Sequence, residues 1–355
     1  MSNGNRKSPA PEEADHNHEG GEVTPPYRHT PPPEPHKEKT GPSAAERAQW
    51  HGYLLADSTL PVPQTAVDSK DLARPAYTRI TSAEYLDPPE ALDAKADLLI
   101  QMFQSAKQRM IYAGAGLSTS SGIWDYASNA AGSLVQPKKR ALTRSLIDGL
   151  RPTPGHRVLV AMERAGMIEH WLQQNHDGLA QRAGFPWQKL NELHGSWHDP
   201  TNPVIKMSGN LRSDLCEWMY EWEKKADLVL AVGTSFSGLN ADRCADACAH
   251  RHMDKGQGQG LIIISIQKTP MDPKAALRVF AKIDDFMMIV AKKLKLELDT
   301  KIYPYRASIT GGPSKSAVAN TGDPGTARAN SPLRTASKSP AVPKRTPSRS
   351  PPGKK

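Results

Sequence analysis

Between about residue 83 and residue 298, hydrophobic positions follow two alternating patterns. In residues 90–107 apolar side chains recur every three or four positions, which predicts a helix with one buried face. Residues 109–113 and 228–232 are short, mainly apolar runs, typical of strands buried on both faces. The same patterns predict strands at 167–174, 261–266 and 278–283 and helices at 154–165 and 284–296, the last beginning on an aspartate cap.

This alternation predicts an α/β fold with a doubly wound, Rossmann-like parallel sheet. Ligands of such sheets bind outside the carboxyl ends of the strands. Gly114, Asn175 and Gly233 each follow a predicted strand, so we expect them to share one crevice.

The two ends of the chain differ from this middle part. Residues 1–77 are rich in Pro, Glu, His and Lys without sustained periodicity, which predicts a disordered extension. Within it, residues 46–55 contain apolar positions and a Trp and are a candidate for docking onto the body. Residues 78–300 are the predicted folded domain, and residues 301–355, largely Ser, Pro, Lys, Arg and Ala, are a predicted disordered tail.

The net charge of +9 belongs to the tail. Residues 301–355 hold eleven Lys and Arg against one acid, Asp323, a net +10 that leaves the rest of the chain at −1. Ser-Pro or Thr-Pro pairs begin at Ser331, Ser339, Thr346 and Ser350. Two interpretations stay open: non-specific contact with nucleic acid, and a solubilising extension.

Cysteine and apolar content bear on the compartment. The three cysteines do not make a disulfide framework, which favours a reducing environment. There is no run of 18 apolar residues and no apolar signal core at the start. We expect an intracellular protein without a membrane partner, in the nucleus or cytoplasm, with the nucleus favoured.

The segment 113–123 carries a local binding signal. It reads Ala-Gly-Ala-Gly-Leu-Ser-Thr-Ser-Ser-Gly-Ile and directly follows an apolar run. A strand that ends in such a turn brings backbone N–H groups against a pyrophosphate, and Gly114 and Gly116 have no Cβ to block its approach. The alternative is a strand-to-helix turn that needs small residues for packing alone.

Three later segments complete a pattern. They read Gln-Gln-Asn-His-Asp-Gly-Leu-Ala-Gln-Arg-Ala-Gly at 173–184, Asn-Glu-Leu-His-Gly-Ser at 191–196 and Val-Gly-Thr-Ser at 232–235. With the glycine segment, in order and spacing, they resemble the core motifs of the sirtuins, the NAD-dependent protein lysine deacylases. The resemblance covers about residues 78–298.

The resemblance implies a sirtuin-type fold that binds NAD and an acyl-lysine protein, with histones as candidates, and transfers the acyl group to ADP-ribose with release of nicotinamide. It makes His194 the base that activates a ribose hydroxyl, and Asn175 the residue that holds water and ribose. Gln174 would line the pocket, and Asp177 would accept from the nicotinamide carboxamide. The other residues it assigns to the cofactor are Gly114, Ala115, Gly116, Ser118, Thr119, Asp125, Tyr126, Gly233, Thr234, Ser235 and Ser265.

Structural alternatives stand beside these roles. Asn175 and Asp177 are also residue types that form an Asx turn, here closed by Gly178. Thr234 and Ser235 would equally serve as helix N-caps.

The chain also departs from the family pattern. Where sirtuins have Gly-Ile-Pro-Asp-Phe-Arg, residues 122–127 read Gly-Ile-Trp-Asp-Tyr-Ala, so Ala127 replaces an arginine near the phosphates. Weaker NAD binding or altered loop closure is expected from that loss. His176 places a polar ring beside the nicotinamide site, and Ser265 stands where the family often has Asn.

The zinc module is missing. Residues 196–210 contain no cysteine, so the four-cysteine site of the family is not formed, and we expect a reduced, zinc-free small domain without a metal. Cys244, Cys248 and His252 lie at helical spacing, which is more typical of core packing than of a metal site. Residues 215–222 fit an amphipathic helix rather than the strand that pairs with peptide substrates.

Two functions stay open. The first is an NAD-dependent deacylase or a related ADP-ribosyl-transferring enzyme, favoured by Asn175, Asp177 and His194. The second is a catalytically impaired, NAD-binding sensor or scaffold, favoured by the departures.

Overall fold

The computed structural model describes residues 42–75, 77–135, 143–206 and 209–307. The expectations for residues 1–41 and for most of the basic tail, 308–355, lie outside the described residues. Within the described ranges no helix combines the length and apolar character that a membrane crossing needs.

Strands and helices alternate along the described chain. The strands are β1 (Gln64–Val67), β2 (Glu84–Leu86), β3 (Arg109–Ala113), β4 (His170–Gln173), β5 (Leu190–Glu192), β6 (Leu228–Val232), β7 (Gly260–Ile264) and β8 (Leu277–Val279). The α-helices are α1 (Ala44–His51), α2 (Pro89–Ser105), α3 (Arg144–Gly149), α4 (Pro154–Arg164), α5 (Leu179–Arg182), α6 (Ser213–Lys225), α7 (Asp242–Lys255) and α8 (Ile283–Lys293).

Strands β3 to β8 form one parallel sheet in the order β5-β4-β3-β6-β7-β8, and β1 pairs with β2 in a small antiparallel sheet. The chain winds outward from the centre in both directions, which confirms the predicted doubly wound sheet. Strands β3 and β6 are neighbours at the point where the winding reverses, and this is where such sheets bind ligands.

The sheet is covered on both faces because successive side chains of its strands point to opposite sides. Ile111 of β3 packs into one core with apolar residues of α2, α4 and α8, whereas Met110 and Tyr112 pack into the other with residues of α6 and α7. All five residues of β6 and of β7 are buried, as their nearly continuous apolar sequences predict.

Strands β3 and β6 begin and end where the sequence predicts, while other boundaries shift by a few residues. The predicted aspartate cap of the last helix is wrong: α8 begins after Lys282, which makes no capping bond through its side chain. The carboxylate of Asp284 instead accepts the N–H of Gly155, at 2.8 Å, and so joins α8 to the first turn of α4.

Residues 44–67, placed by the sequence in a disordered extension, are part of the folded body. Helix α1 starts with a capping box at Ser43, and the N–H of Tyr53 donates to the carbonyl of Ala275, at 3.0 Å. The ring of Trp50 packs against Tyr85 and Phe280. The docking expected for residues 46–55 is therefore confirmed. The ring of Trp50 and backbone hydrogen bonds to residues 275 and 276 hold this polar segment on the body.

The first residues of the predicted tail also contact the body. The N–H of Tyr303 donates to the carbonyl of Arg182, at 2.9 Å, and the hydroxyl of Tyr305 donates to Glu192, at 2.5 Å. The predicted start of the disordered tail, residue 301, is therefore too early in the chain, since Tyr303 and Tyr305 hold this segment on the body.

A buried ion pair joins three parts of the body. Lys95 Nζ in α2 lies 2.7 Å from each carboxylate oxygen of Asp87 and 3.2 Å from the carbonyl of Trp50 in α1. Asp87 also accepts the N–H of Phe280, at 2.8 Å. Neither charged side chain has exposed surface, so each depends on the other for solvation.

Replacing Asp87 with alanine is expected to lower the free energy of unfolding by about 3–5 kcal/mol, because the Lys95 ammonium would stay buried without its partner. Asp93→Ala is the matched control: Asp93 pairs with Lys293 at the surface, and such pairs contribute about 1 kcal/mol or less. Urea denaturation measures both variants, and equal losses would contradict the role given to Asp87.

Candidate functional site

Backbone hydrogen bonds of Gly114 and Gly116 hold the ends of β3 and β6 together, and we call this contact the glycine lock. The N–H of Gly114 donates to Val232 and that of Gly116 to Gly233, at 3.0 and 2.9 Å. A Cβ on Gly233, whose φ is +62°, would lie 2.5 Å from the nitrogen of Leu117. Only glycine fits this contact, since a side chain would separate the two strand ends.

The glycine segment continues into a 3₁₀ helix, Ala115–Ser121, rather than an α-helix. The N-cap of α4 supports this 3₁₀ helix, because the Thr153 hydroxyl donates to the carbonyl of Leu117, at 3.3 Å. Thr153 also forms a capping box with His156, whose pKa is lowered to about 4 by burial. Residues 154–156, the Pro-Gly-His segment of the first turn of α4, therefore support the glycine turn and do not line the cavity.

A cavity of about 680 Å³ opens above this lock, a volume that suits a small organic ligand. Asn175 and Gly233 line it, whereas Gly114 does not. Gly114 packs on Gly233 and its carbonyl accepts the amide of Asn175, so of the three residues expected to share one crevice, two line it and the third supports them. The predicted site residues that line it are Ala115, Gly116, Ser118, Thr119, Asp125, Tyr126, Gln174, Asn175, Asp177, His194, Gly233, Thr234, Ser235 and Ser265.

Asn175 and Asp177 are held rigidly by Ser118. The amide of Asn175 donates to the carbonyl of Gly114, at 3.0 Å, and to Ser118 Oγ, at 3.2 Å. Ser118 Oγ in turn donates to Asp177, at 2.7 Å, and the other Asp177 oxygen accepts the N–H of Leu179, at 2.8 Å. The Asx-turn alternative for Asp177 is therefore present in the structure, on a residue that also lines the cavity.

His194 enters the cavity as a neutral imidazole. Its pKa is lowered to about 4, mainly by burial and secondly by the charge of the neighbouring His176. A hydrogen bond to the backbone of Gln174 acts in the opposite direction and raises the pKa. A neutral ring that donates through one nitrogen to the Gln174 carbonyl keeps the other nitrogen as an acceptor. The arrangement suits a residue that removes a proton.

Gln174 is positioned by two residues that the sequence did not single out. Its amide donates to the hydroxyl of Tyr112, and this hydroxyl donates to Asp242 at the start of α7, at 2.6 Å. Asp242 also accepts the N–H of Gly238, at 2.8 Å. No sequence signal marks this chain of contacts, because its members lie on three separate elements.

The helix-capping alternative for Thr234 and Ser235 is wrong, since α7 begins only at Asp242. The Thr234 hydroxyl accepts the N–H of Phe236, at 3.3 Å, and so shapes a turn after β6. Phe236 has a positive φ of 52°, a conformation seldom adopted by an aromatic residue.

Asp125 organises the segment that departs from the family pattern. Its carboxylate accepts the N–H groups of Ala127 and Ser128, at 3.0 and 2.7 Å, and the Ser128 hydroxyl, at 2.8 Å. Tyr126 projects beyond this turn and is 67% exposed. Asp125 thus shapes the rim of the cavity.

The region expected to hold a reduced small domain is a connection. Residues 193–212 have neither helix nor strand where described, and α6 follows, which confirms the predicted amphipathic helix. Across the described ranges no group of three or more His, Cys, Asp or Glu side chains is arranged to hold a metal. Cys244 and Cys248 donate to backbone carbonyls in the core, and burial raises the pKa of each thiol to about 12.

Cavity residues missed by the sequence come mainly from its rim. Arg74 and Tyr77 belong to the segment expected to be disordered, and Lys268 and Lys282 lie beyond the strong motifs. The apolar part of the wall includes Ile123, Trp124, Leu134, Val135 and Trp197. Ile123 and Trp124 belong to segments that the sequence singled out, whereas the polar or isolated context of Leu134, Val135 and Trp197 carries no sign of this position.

Replacing Gly233 with alanine is expected to destabilise the fold by about 2 kcal/mol or more beyond Gly238→Ala, because only at Gly233 would the Cβ meet backbone. Gly238 is the matched control: it also has a positive φ, +85°, but a Cβ there would meet nothing within 4 Å. Chemical denaturation compares the two variants, and equal stability would contradict the lock between β3 and β6.

Comparison with known proteins finds relatives among the NAD-dependent protein deacetylases. No family model matches the chain. It is 29% identical over 265 residues to NAD-dependent protein deacetylase SRT1 of Arabidopsis thaliana, covering 64% of this chain and 54%, about half, of that protein. It is 27% identical over 302 residues to NAD-dependent protein deacetylase sirtuin-7 of Homo sapiens, covering 72% and 73%. A solved structure of Sir2Tm bound to a propionylated peptide aligns with 57% of this chain and 100% of its own, at 20% identity and a TM-score of 0.46.

The motifs that are separate in the sequence meet around one cavity at the switch point of the sheet. The relatives that are similar to this chain over most of its folded body are NAD-dependent protein deacetylases, among them sirtuin-7. By sequence, the chain is similar to the sirtuins, with the departures in residues 122–127 and 196–222 described above.

Proposed function

We propose that the protein is an NAD-dependent protein lysine deacylase. The observation that carries the proposal is that His194, held as a neutral acceptor, faces the same cavity as Asn175, Asp177 and the glycine crevice. The relatives named above are NAD-dependent protein deacetylases, which supports the same chemistry.

The residues present fit a dinucleotide. Gly116 and Gly233 bring backbone to the cavity wall at the switch point, and the hydroxyls of Thr234 and Ser235 beside them would donate to phosphate and ribose oxygens. The hydroxyl of Thr119 also lines the cavity and donates to the carbonyl of Gly116, at 3.1 Å. Bound NAD would supply an electrophilic ribose carbon, C1′, from which nicotinamide departs.

The protein's own groups would then bind, orient and move a proton. The free imidazole nitrogen of His194 would accept the proton of a ribose hydroxyl. Asn175 would hold the ribose or a water, and its orientation is set by its bonds to Gly114 and Ser118. The apolar wall that contains Ile123 and Trp197 would exclude water and receive an acyl chain.

A second function is favoured by the segments that differ from the family pattern. Helix α6 occupies the sequence position where a peptide-pairing strand was expected, and Ala127 is a buried, uncharged residue. Both features suit a protein that binds NAD as a sensor or scaffold without turnover of acyl-lysine.

The proposed substrate is an acyl-lysine protein, with histones as the first candidates, and the proposed place is the nucleus. The support is the tail, whose +10 net charge in residues 301–355 suits contact with nucleic acid. Its four Ser-Pro and Thr-Pro sites would each gain about 1.5 to 2 negative charges on phosphorylation, enough to switch off the contact.

Replacing His194 with alanine is expected to lower acyl-lysine-dependent nicotinamide release by at least about 100-fold, because general base catalysis is lost, while the Kd for NAD changes little. His250→Ala, an exposed histidine of α7, is the control. In the parent, protonation of His194 removes the acceptor, so activity should fall only as pH drops toward its pKa of about 4, with a plateau above. Equal activity of the two variants would exclude His194 as the base. A parent that binds NAD but releases no nicotinamide would favour the sensor.

Truncation after residue 307 is expected to weaken binding to double-stranded DNA and to remove most of its salt dependence, because each phosphate contact releases a counterion. The truncation point retains Tyr303, Tyr305 and the bond from the N–H of Arg306 to Gln181. Fluorescence anisotropy at about 50 and 200 mM salt measures both proteins. Unchanged affinity after truncation would leave the tail as a solubilising extension.

A further inference from the structure

A hairpin from the N-terminal part of the chain reaches the cavity. In residues 71–82 the N–H of Ala73 donates to Ile80, at 3.0 Å, and that of Ser82 donates to Asp71, at 2.8 Å. Residue 76 lies outside the described residues. Three residues of this hairpin, Ala73, Arg74 and Tyr77, line the cavity, although their segment has no resemblance to a binding motif.

The hairpin is attached to both sides of the cavity mouth. The Tyr77 hydroxyl donates to the carbonyl of Ser235, in the turn after β6. On the other side, the amide of Asn129 donates to the carbonyl of Ala73, at 3.2 Å. Arg74 directly follows Ala73, one of these two anchors, so its backbone is held at the mouth of the cavity.

The guanidinium of Arg74 keeps its charge available. It lies over the ring of Tyr126, with Cζ 5.4 Å from the ring centroid, a contact that leaves N–H groups to donate. The ion pairs found in the described ranges do not include Arg74. It is a half-buried cation at the cavity wall. No carboxylate of the described residues pairs with it directly, although its charge acts on the carboxyl of Asp242, where it lowers the pKa against the raising effect of burial.

The other cations of the cavity are less suited to an anion above the glycine lock. Lys268 Nζ lies 3.7 Å from the centroid of the Trp50 ring, so it is directed to α1. Lys282 directly precedes α8, and its charge acts on the carboxyl of Glu84, where it lowers the pKa against the raising effect of burial. The segment 125–128 offers no cation, because Ala127 stands where the family pattern led us to expect arginine.

We propose that Arg74 binds the pyrophosphate of the dinucleotide and replaces, from the N-terminal hairpin, the arginine that the segment 122–127 lacks. Its planar guanidinium would donate two parallel hydrogen bonds to phosphate oxygens. The identity of the dinucleotide rests on the proposed function. Arg74 and Tyr77 would accordingly be part of the cofactor site.

The test compares ligands with and without a pyrophosphate by isothermal titration calorimetry. Arg74→Ala and Arg74→Gln should each raise the Kd for ADP-ribose at least about tenfold, the loss of a charge-assisted pair, while the Kd for adenosine changes less than about twofold. Arg74→Lys should lie between these variants and the parent. Arg79→Ala is the matched control, since Arg79 is exposed on the same hairpin and does not line the cavity.

Salt gives a second readout that does not depend on turnover. Binding of ADP-ribose to the parent should weaken with ionic strength more steeply than binding to Arg74→Gln. If Arg74→Ala and Arg74→Gln bind ADP-ribose as Arg79→Ala does, the role of Arg74 is refuted and the proposed function stands. If the parent binds neither NAD nor ADP-ribose, both proposals fail.

Discussion

The site depends on the backbone contact between the ends of β3 and β6. Gly114 and Gly116 bond to Val232 and Gly233, with so little space that a Cβ at Gly116 would lie 2.8 Å from the Cα of Gly233. The surrounding polar groups are placed relative to this contact. Asn175 bonds directly to the carbonyl of Gly114, and from it the chain of bonds runs through Ser118 to Asp177. Changing either glycine would therefore move the candidate catalytic groups as well as the crevice.

Segments from both ends of the folded chain pack on the part of the body that carries the site. The N-terminal part contributes α1, the buried partners of Lys95 and a hairpin at the mouth of the cavity. At the other end, Tyr305 donates to Glu192, a buried carboxyl that also accepts from Gln173 and Gln181. Burial is the main reason that the pKa of Glu192 is raised to about 7. These contacts extend the folded body beyond the motifs on both sides.

The small domain is the part of the family pattern that this chain replaces most thoroughly. A connection and α6 follow β5 directly, and the apolar face of α6, with Leu215, Met219 and Trp222, packs on the sheet. The cavity keeps His194 and Asn175 despite this change, which is why turnover and binding alone are both worth measuring.

The sequence by itself determined the elements whose signal is local. Continuous apolar runs marked β3 and β6 to the residue, because strands buried on both faces tolerate few polar positions. Glycines after strand ends, followed by the Asn, Asp and His of the later segments, indicated the crevice and most of its lining. Only the tertiary structure decided that Arg74 and Tyr77 reach that crevice, that Asp284 bonds to α4, and that Tyr112 holds Gln174. Such contacts join distant parts of the chain, or a strand interior to a loop, and depend on which elements pack together, a relation that neither periodicity nor composition records.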